Sequence, residues 1–268
     1  MQRTVALISL GCAKNLVNSE QMLALLTDAG YTLAPEADGA DAVVVNTCGF
    51  IDAAKREAID TILELADLKN AERLRAIIVA GCLAERYRDD IISDMPEVDA
   101  VVGVGSFSEI VSAVDAALAG ERTVFAARAE DADDNLPRVL TAPGAWTYLK
   151  IADGCDNACA FCVIPSIRGS YRSREMSDIA AEAEELSARG VRELILIAQD
   201  TTRYGADLYG APSLALLLAR LEQIPLLRWI RVHYMYPDMV NDALLDKFAS
   251  SEKLLPYFDI PIQHINDG

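Results

Sequence analysis

Four apolar runs without polar alternation, "TVALISL" (4–10), "AVVVN" (42–46), "AIIVA" (76–80) and "DAVVGV" (99–104), constrain this chain more than any other feature. β-Branched residues that continue through both faces of a strand need apolar cover on each side, which a parallel sheet wrapped by helices supplies. Between the runs lie "SEQMLALLTDAG" (19–30), "DAAKREAIDTILELADLK" (52–69) and "AERYRDDIISDM" (84–95). Their apolar residues recur near helical spacing, and Gly30 is placed to cap the first. The expected fold is α/β, opening with a mostly parallel, flavodoxin-like open sheet.

From 119 to 145 the pattern lapses into "AGERTVFAARAEDADDNLPRVLTAPGA", whose acidic run, Pro137, Pro143 and Gly144 read as a connection. Alternation then resumes with strands expected at 147–152, 192–198, 229–235 and 257–262. Helices are expected at 174–190 and around 213–223 and 238–249. Four such strand–helix beginnings suggest a barrel or half-barrel. The sequence stops at "QHINDG", directly after the last expected strand, and so reads as a barrel that is incomplete at its C-terminal end.

No apolar run reaches the length of a membrane span. "VALISL" is too short for a signal-peptide core, and Cys12, Lys14 and Asn15 follow it in place of a cleavage site. The chain is therefore expected in the cytoplasm, where thiols stay reduced and six cysteines point to metal or chemistry before disulfides. A net charge of −17 argues against a duplex-binding surface, so any nucleic-acid contact must come from a local patch or from outside this chain.

Cys12, Cys48 and Cys82 each fall where an expected strand hands over to a helix, in "LGCAKN", "NTCGF" and "AGCLA". In a parallel sheet those turns share the carboxyl edge, where open α/β sheets bind ligands. Gly11, Gly49 and Gly81 beside them permit close backbone approach. Cys155, Cys159 and Cys162 form a second set, Cys-x3-Cys-x2-Cys. Thiolates are the usual ligands of iron–sulfur clusters, and three of them leave one iron with an exchangeable position that suits a catalyst. Other readings of these residues stay open. The first three suit an apolar sheet as small buried hydrophobes. A closed zinc site wants a fourth ligand. A thioredoxin-like pair at Cys159 and Cys162 leaves Cys155 unexplained.

With Phe161 ahead of its last cysteine, the second set resembles the radical S-adenosylmethionine superfamily. Together with the three-cysteine domain before it, the chain resembles the methylthiotransferases of that superfamily over essentially its whole length. The stretches "SLGCAKNLVNSE" (9–20), "NTCGFIDAAK" (46–55), "KIADGCDNACAFCVIPSIRG" (150–169) and "AQDTTRYG" (198–205) are similar to one branch in particular. That branch methylthiolates an aspartate of small-subunit ribosomal protein S-twelve. The tRNA-modifying branch carries "GQNVNSYG"-like residues at the last stretch. Ala13 stands where the family often has proline and Asp156 where asparagine is common, and neither change removes a ligand.

The resemblance implies a methylthiotransferase domain at 1–125, a linker at 126–143 and a radical S-adenosylmethionine barrel at 144–268, with the family's further barrel strands and TRAM domain absent. It implies two 4Fe–4S clusters. The one on Cys155, Cys159 and Cys162 binds S-adenosylmethionine and cleaves it reductively to a 5′-deoxyadenosyl radical. The one on Cys12, Cys48 and Cys82 carries the sulfur, and a second S-adenosylmethionine supplies the methyl group. A flavodoxin or ferredoxin is the implied reductant. Gln199 and Asp200 follow strand 192–198, where they would contact the cofactor or simply cap the strand. Arg168, Arg172 and Arg174 form the densest basic patch and read first as a solvated face, second as a carboxylate or phosphate contact. His233 and His264 read as satisfied, partly buried side chains. The alternatives are a tRNA adenosine methylthiotransferase and a non-catalytic iron–sulfur redox protein.

Overall fold

The structure, a computed structural model, describes residues 3–141 and 144–261. The chain divides into two compact units. The first runs to Thr141 and also takes in Asn157–Gly169, while the second holds the described residues 144–156 and those from Ser170 onward.

The first unit contains β1 (Thr4–Ser9), α1 (Ala13–Asp28), β2 (Thr32–Leu33), β3 (Ala42–Thr47), α2 (Asp52–Asn70) and β4 (Ala76–Gly81). It continues through α3 (Cys82–Arg86), α4 (Arg88–Asp94), β5 (Ala100–Val102), α5 (Ile110–Leu118) and β6 (Thr123–Phe125), and α6 (Ile164–Arg168) joins it from the returning segment. All six strands pair in parallel in the order β2-β1-β3-β4-β5-β6. Val44, Ile78 and Val102 pack on one face with Met22 and Leu26 of α1 and Val114 of α5. Val43, Val45, Ile77, Val79 and Val101 pack on the other with Ile62 and Leu65 of α2. This two-sided cover is why the strands read as unbroken valine and isoleucine. Each such buried side chain contributes roughly 1.5–3 kcal/mol.

Three local expectations shift. The first helix begins at Ala13, six residues before the apolar pattern, because Asn15, Asn18 and Ser19 face inward as buried polar groups. The helix expected at 84–95 begins at Cys82 and breaks at Tyr87, whose φ of −128° and ψ of 30° leave the helical region. Within the expected connection, Thr123–Phe125 pairs with β5 as the sixth strand. Beyond it Arg138 and Thr141 bond the buried Glu20 of α1, so the segment through Thr141 belongs to the first unit.

The second unit contains β7 (Trp146–Lys150), β8 (Ala152–Asp153), β9 (Arg172–Ser173), α7 (Met176–Ala188) and β10 (Glu193–Ile197). After these come α8 (Ala206–Tyr209), α9 (Leu214–Leu221), β11 (Trp229–Val232) and α10 (Asp242–Ser250). Strands β11, β10 and β7 form a parallel sheet in that order, with helices between them in sequence, as at the start of a partial (β/α) barrel. β8 and β9 pair antiparallel. The strand expected at 257–262 is not formed over 257–261, and residue 262 lies outside the described residues. Leu254 makes one parallel bridge to Ile230, and Asp259 accepts from the Met235 amide. Pro256 and Pro261 have no N–H to give a ladder. Among the described residues no helix is long and apolar enough to cross a membrane.

Candidate functional site

The strand order reverses between β1 and β3, and open α/β sheets bind ligands outside the carboxyl ends of their strands at such a reversal. Cys12 follows β1 as the N-cap of α1, Cys48 follows β3 directly, and Cys82 opens α3 directly after β4. The three turns press against one another in chain order. A Cβ on Gly11 would lie 2.8 Å from Cys48 Cβ and 3.5 Å from its Sγ, and one on Gly49 would lie 2.8 Å from the Cys82 carbonyl oxygen. Side chains could not fit between them. Burial pushes the Cys82 thiol above its ordinary range, with smaller upward contributions from Cys12 and Cys48 and an opposing one from Arg168.

Beneath the turns lies a buried polar layer. Asn15 donates through Nδ2 to the carbonyls of Leu10 (3.1 Å) and Thr47 (2.9 Å), each within two residues of a cysteine. Asn46 donates to the Asn15 carbonyl and to Ser19 Oγ. Arg168 completes the layer from α6 and is 3% exposed. Arg174 is also buried and pairs with Glu182 at 2.6 Å. The solvated-face reading is therefore wrong for Arg168 and Arg174, because both guanidinium groups are buried and hydrogen-bonded, Arg168 to the side-chain oxygens of Asn15 and Asn18 and Arg174 to the Lys150 carbonyl and the partly buried Glu182. Arg172 is partly exposed.

In the second unit, Lys150 at the end of β7 is 1% exposed and pairs with Asp153 Oδ2 at 3.1 Å. Asp153 Oδ1 accepts from the Gly154 amide (2.9 Å) and from Gln199 Nε2 (2.8 Å). This chain of groups fixes the backbone just before Cys155, which is buried. Asp156, where the family favours asparagine, accepts from the Tyr171 amide at 2.9 Å and pairs with Arg203 at 3.2 Å. Asp200 is turned to the Thr202 hydroxyl (2.6 Å) and the Arg203 amide (3.3 Å), so it shapes its own turn. His233 is half-buried beside the rings of Tyr234 and Tyr257, and His264 lies outside the described residues. Lys150 and Asp153 were not singled out from the sequence. Their signal was a lysine inside an apolar strand three residues before a carboxylate.

All six cysteines are free thiols, with Cys12 exposed, Cys82 and Cys155 buried, and Cys48, Cys159 and Cys162 between. Among the described residues, no three of the His, Cys, Asp and Glu side chains stand close enough to hold a metal ion together. The donor chemistry nonetheless fits iron–sulfur clusters. Each set offers three thiols and no fourth, and thiol loops commonly gather only around their metal. The residues also fit a small polar cofactor, because Gln199 Oε1 is buried with no hydrogen-bond partner among the described residues.

Residues 4–103 match a family described as Uncharacterized protein family UPF0004, and residues 149–268 match the Radical SAM superfamily. The chain is 47% identical over 266 residues to a protein of Thermoanaerobacter sp. named ribosomal protein uS12 methylthiotransferase RimO, covering 99% of this chain and 61% of the relative. It is 50% identical over 264 residues to a protein of the same name from Pelotomaculum thermopropionicum, covering 98% and 60%. The chain thus spans about three-fifths of the length of these curated relatives. In fold it is similar to the radical S-adenosylmethionine methyltransferase TsrM from Kitasatospora setae, solved with cobalamin and a [4Fe-4S] cluster bound. The TM-score is 0.62 at 15% identity, covering 95% of this chain and 60% of that one.

Proposed function

We propose, for a chain that belongs to the radical S-adenosylmethionine methylthiotransferase family, that it carries the two metal-binding modules of an enzyme that methylthiolates the β-carbon of an aspartate in ribosomal protein uS12. The observation that carries this reading is the pairing of two three-thiol sets in one chain. One sits on the carboxyl edge of an open sheet, and the other follows the first strand of a partial barrel. The relatives' names support the substrate, and a cytoplasmic location follows from that substrate.

In this reading Cys155, Cys159 and Cys162 hold one 4Fe–4S cluster and Cys12, Cys48 and Cys82 hold a second. When bound, the clusters and S-adenosylmethionine supply radical chemistry at a carbon whose hydrogen no side-chain base can remove. The chain's own residues bind and orient. Lys150 and Asp153 hold the backbone entering the cysteine loop, and Gln199, held through its amide nitrogen by Asp153, would have its carbonyl oxygen available to accept from a bound cofactor. Asp200 keeps the turn after β10 in shape. A flavodoxin or ferredoxin would supply electrons.

Replacing Cys155, Cys159 and Cys162 together by alanine, followed by anaerobic reconstitution, tests the reading. Roughly half of the parent's iron is expected to remain, on the ligand stoichiometry of these clusters, with no 5′-deoxyadenosine formed. A folded variant that loses all its iron would refute the two-site assignment. Supplying uS12 and a tRNA to the reconstituted full-length enzyme discriminates the substrates.

A further inference from the structure

We propose that Arg168 is a positioning residue for the N-terminal cysteine set, holding a permanent positive charge against the sulfur of Cys82. The inference rests on the two-cluster reading above. Its basis is local. Pro165 is the second residue of the short helix α6, and Gly169, with φ +73°, ends it. A Cβ on Gly169 would meet Glu130 Oε1 at 2.5 Å, so the end of the turn is tightly seated. Ile167, 1% exposed, packs in the core cluster with Val104, Phe107 and Ala129. These anchors aim the next side chain inward.

There the guanidinium donates from Nη1 to Asn18 Oδ1 at 3.1 Å, and from Nη2 to Asn15 Oδ1 at 2.6 Å and Cys82 Sγ at 3.3 Å. Asn15 is itself tied to the backbone at the ends of β1 and β3. One side chain from the segment after Cys162 is therefore bonded, directly or through Asn15, to the turns that carry all three N-terminal cysteines. A structural tether could have been any donor. An arginine that keeps its proton under all physiological conditions, set with its fork on a sulfur and two amides, does more. Hydrogen bonds and charge at ligand sulfurs set the reduction potential and orient the ligands. Arg168 therefore stabilises the more negative, reduced state of whatever the three thiolates hold.

The test uses the Cys155/Cys159/Cys162→Ala chain as parent, which isolates the N-terminal set, and compares Arg168→Gln and Arg168→Lys within it. Iron per chain, the electron paramagnetic resonance spectrum and the midpoint potential are read from each. Arg168→Gln is expected to disfavour reduction about tenfold, a shift of about 59 mV for a one-electron couple, with an altered spectrum. Arg168→Lys, which keeps the charge but not the fork, is expected to fall between. An iron-loaded Arg168→Gln protein with the parent's midpoint and spectrum overturns this inference alone, whereas a folded parent without iron overturns the two-cluster reading and this inference with it. If Arg168→Gln does not fold, Arg168→Met takes its place, and an iron-loaded Arg168→Met protein with the parent's midpoint and spectrum overturns the inference equally.

Discussion

Gly49→Ala probes the one contact on which the N-terminal site depends most directly. The added Cβ would stand 2.8 Å from the Cys82 oxygen, 2.9 Å from its carbonyl carbon and 3.0 Å from Leu83 Cα. All three are backbone atoms, so no side chain can rotate away. Gly49 is not among the glycines with positive φ, and the penalty is contact rather than backbone strain. Restoring an ordinary 3.4 Å contact needs the two turns to part by about 0.6 Å. Overpacking of this kind costs about 1–3 kcal/mol. In a unit of this size that lowers the melting temperature by about 2–10 °C. The same parting exceeds the ~0.5 Å within which a binding constellation must be held. In the Cys155/Cys159/Cys162→Ala background, iron retained after anaerobic reconstitution should therefore fall by more than about half. Gly144→Ala, whose Cβ would find nothing nearer than 3.8 Å, is the control. It should change stability by less than about 0.5 kcal/mol. A Gly49→Ala protein with the parent's melting temperature and iron content would refute the close apposition of the Cys48 and Cys82 turns.

Arg138→Met should destabilise the first unit by about 3–5 kcal/mol in denaturant titrations, because it leaves the buried Glu20 carboxylate without its ion-pair partner. The Glu20→Leu/Arg138→Met double variant should recover most of that loss, and equal losses in the two proteins would refute the argument. Gln199→Ala should weaken S-adenosylmethionine binding about tenfold in equilibrium dialysis, the value of one good hydrogen bond, with an unchanged circular dichroism spectrum. Unchanged affinity would refute the proposed contact of Gln199 with the cofactor. The Thr4 amide, aided by Arg75 and against desolvation, holds the Asp41 carboxyl below the usual carboxylate range. Its contribution to stability is thus present above the unfolded pKa of about 3.9 and lost as pH falls through the lower folded value. Asp41→Asn should therefore destabilise the protein at pH 7, with the gap to the parent starting to close as pH falls below about 4 and vanishing only below the lower folded value, in pH-resolved melting curves.

The valine and isoleucine runs of β1, β3, β4 and β5 were legible because burial on both faces leaves most of each strand apolar and β-branched, without the alternation of a half-exposed strand. The turns of Cys12, Cys48 and Cys82 were legible for a similar reason. Their place after strands follows from chain order, and the parallel sheet puts such turns on one edge. Short or polar elements were not. β6 has three residues and lies at a sheet edge, too short to show a period, and the first turns of α1 carry asparagine and serine inward where a periodicity argument expects apolar groups. The sequence by itself therefore determined the fold class, which rests on local composition and periodicity, and its motifs carried the resemblance to the family. Only the tertiary structure decided what Arg168, Glu20 and Arg138 do. A charged side chain reads as solvated until the fold brings it an oxygen or a sulfur from far along the chain. Arg168 meets Asn15 and Cys82 across 153 and 86 residues, and Arg138 meets Glu20 across 118. No local pattern records partners at such separations, because burial of a charge is set by what the fold packs around it.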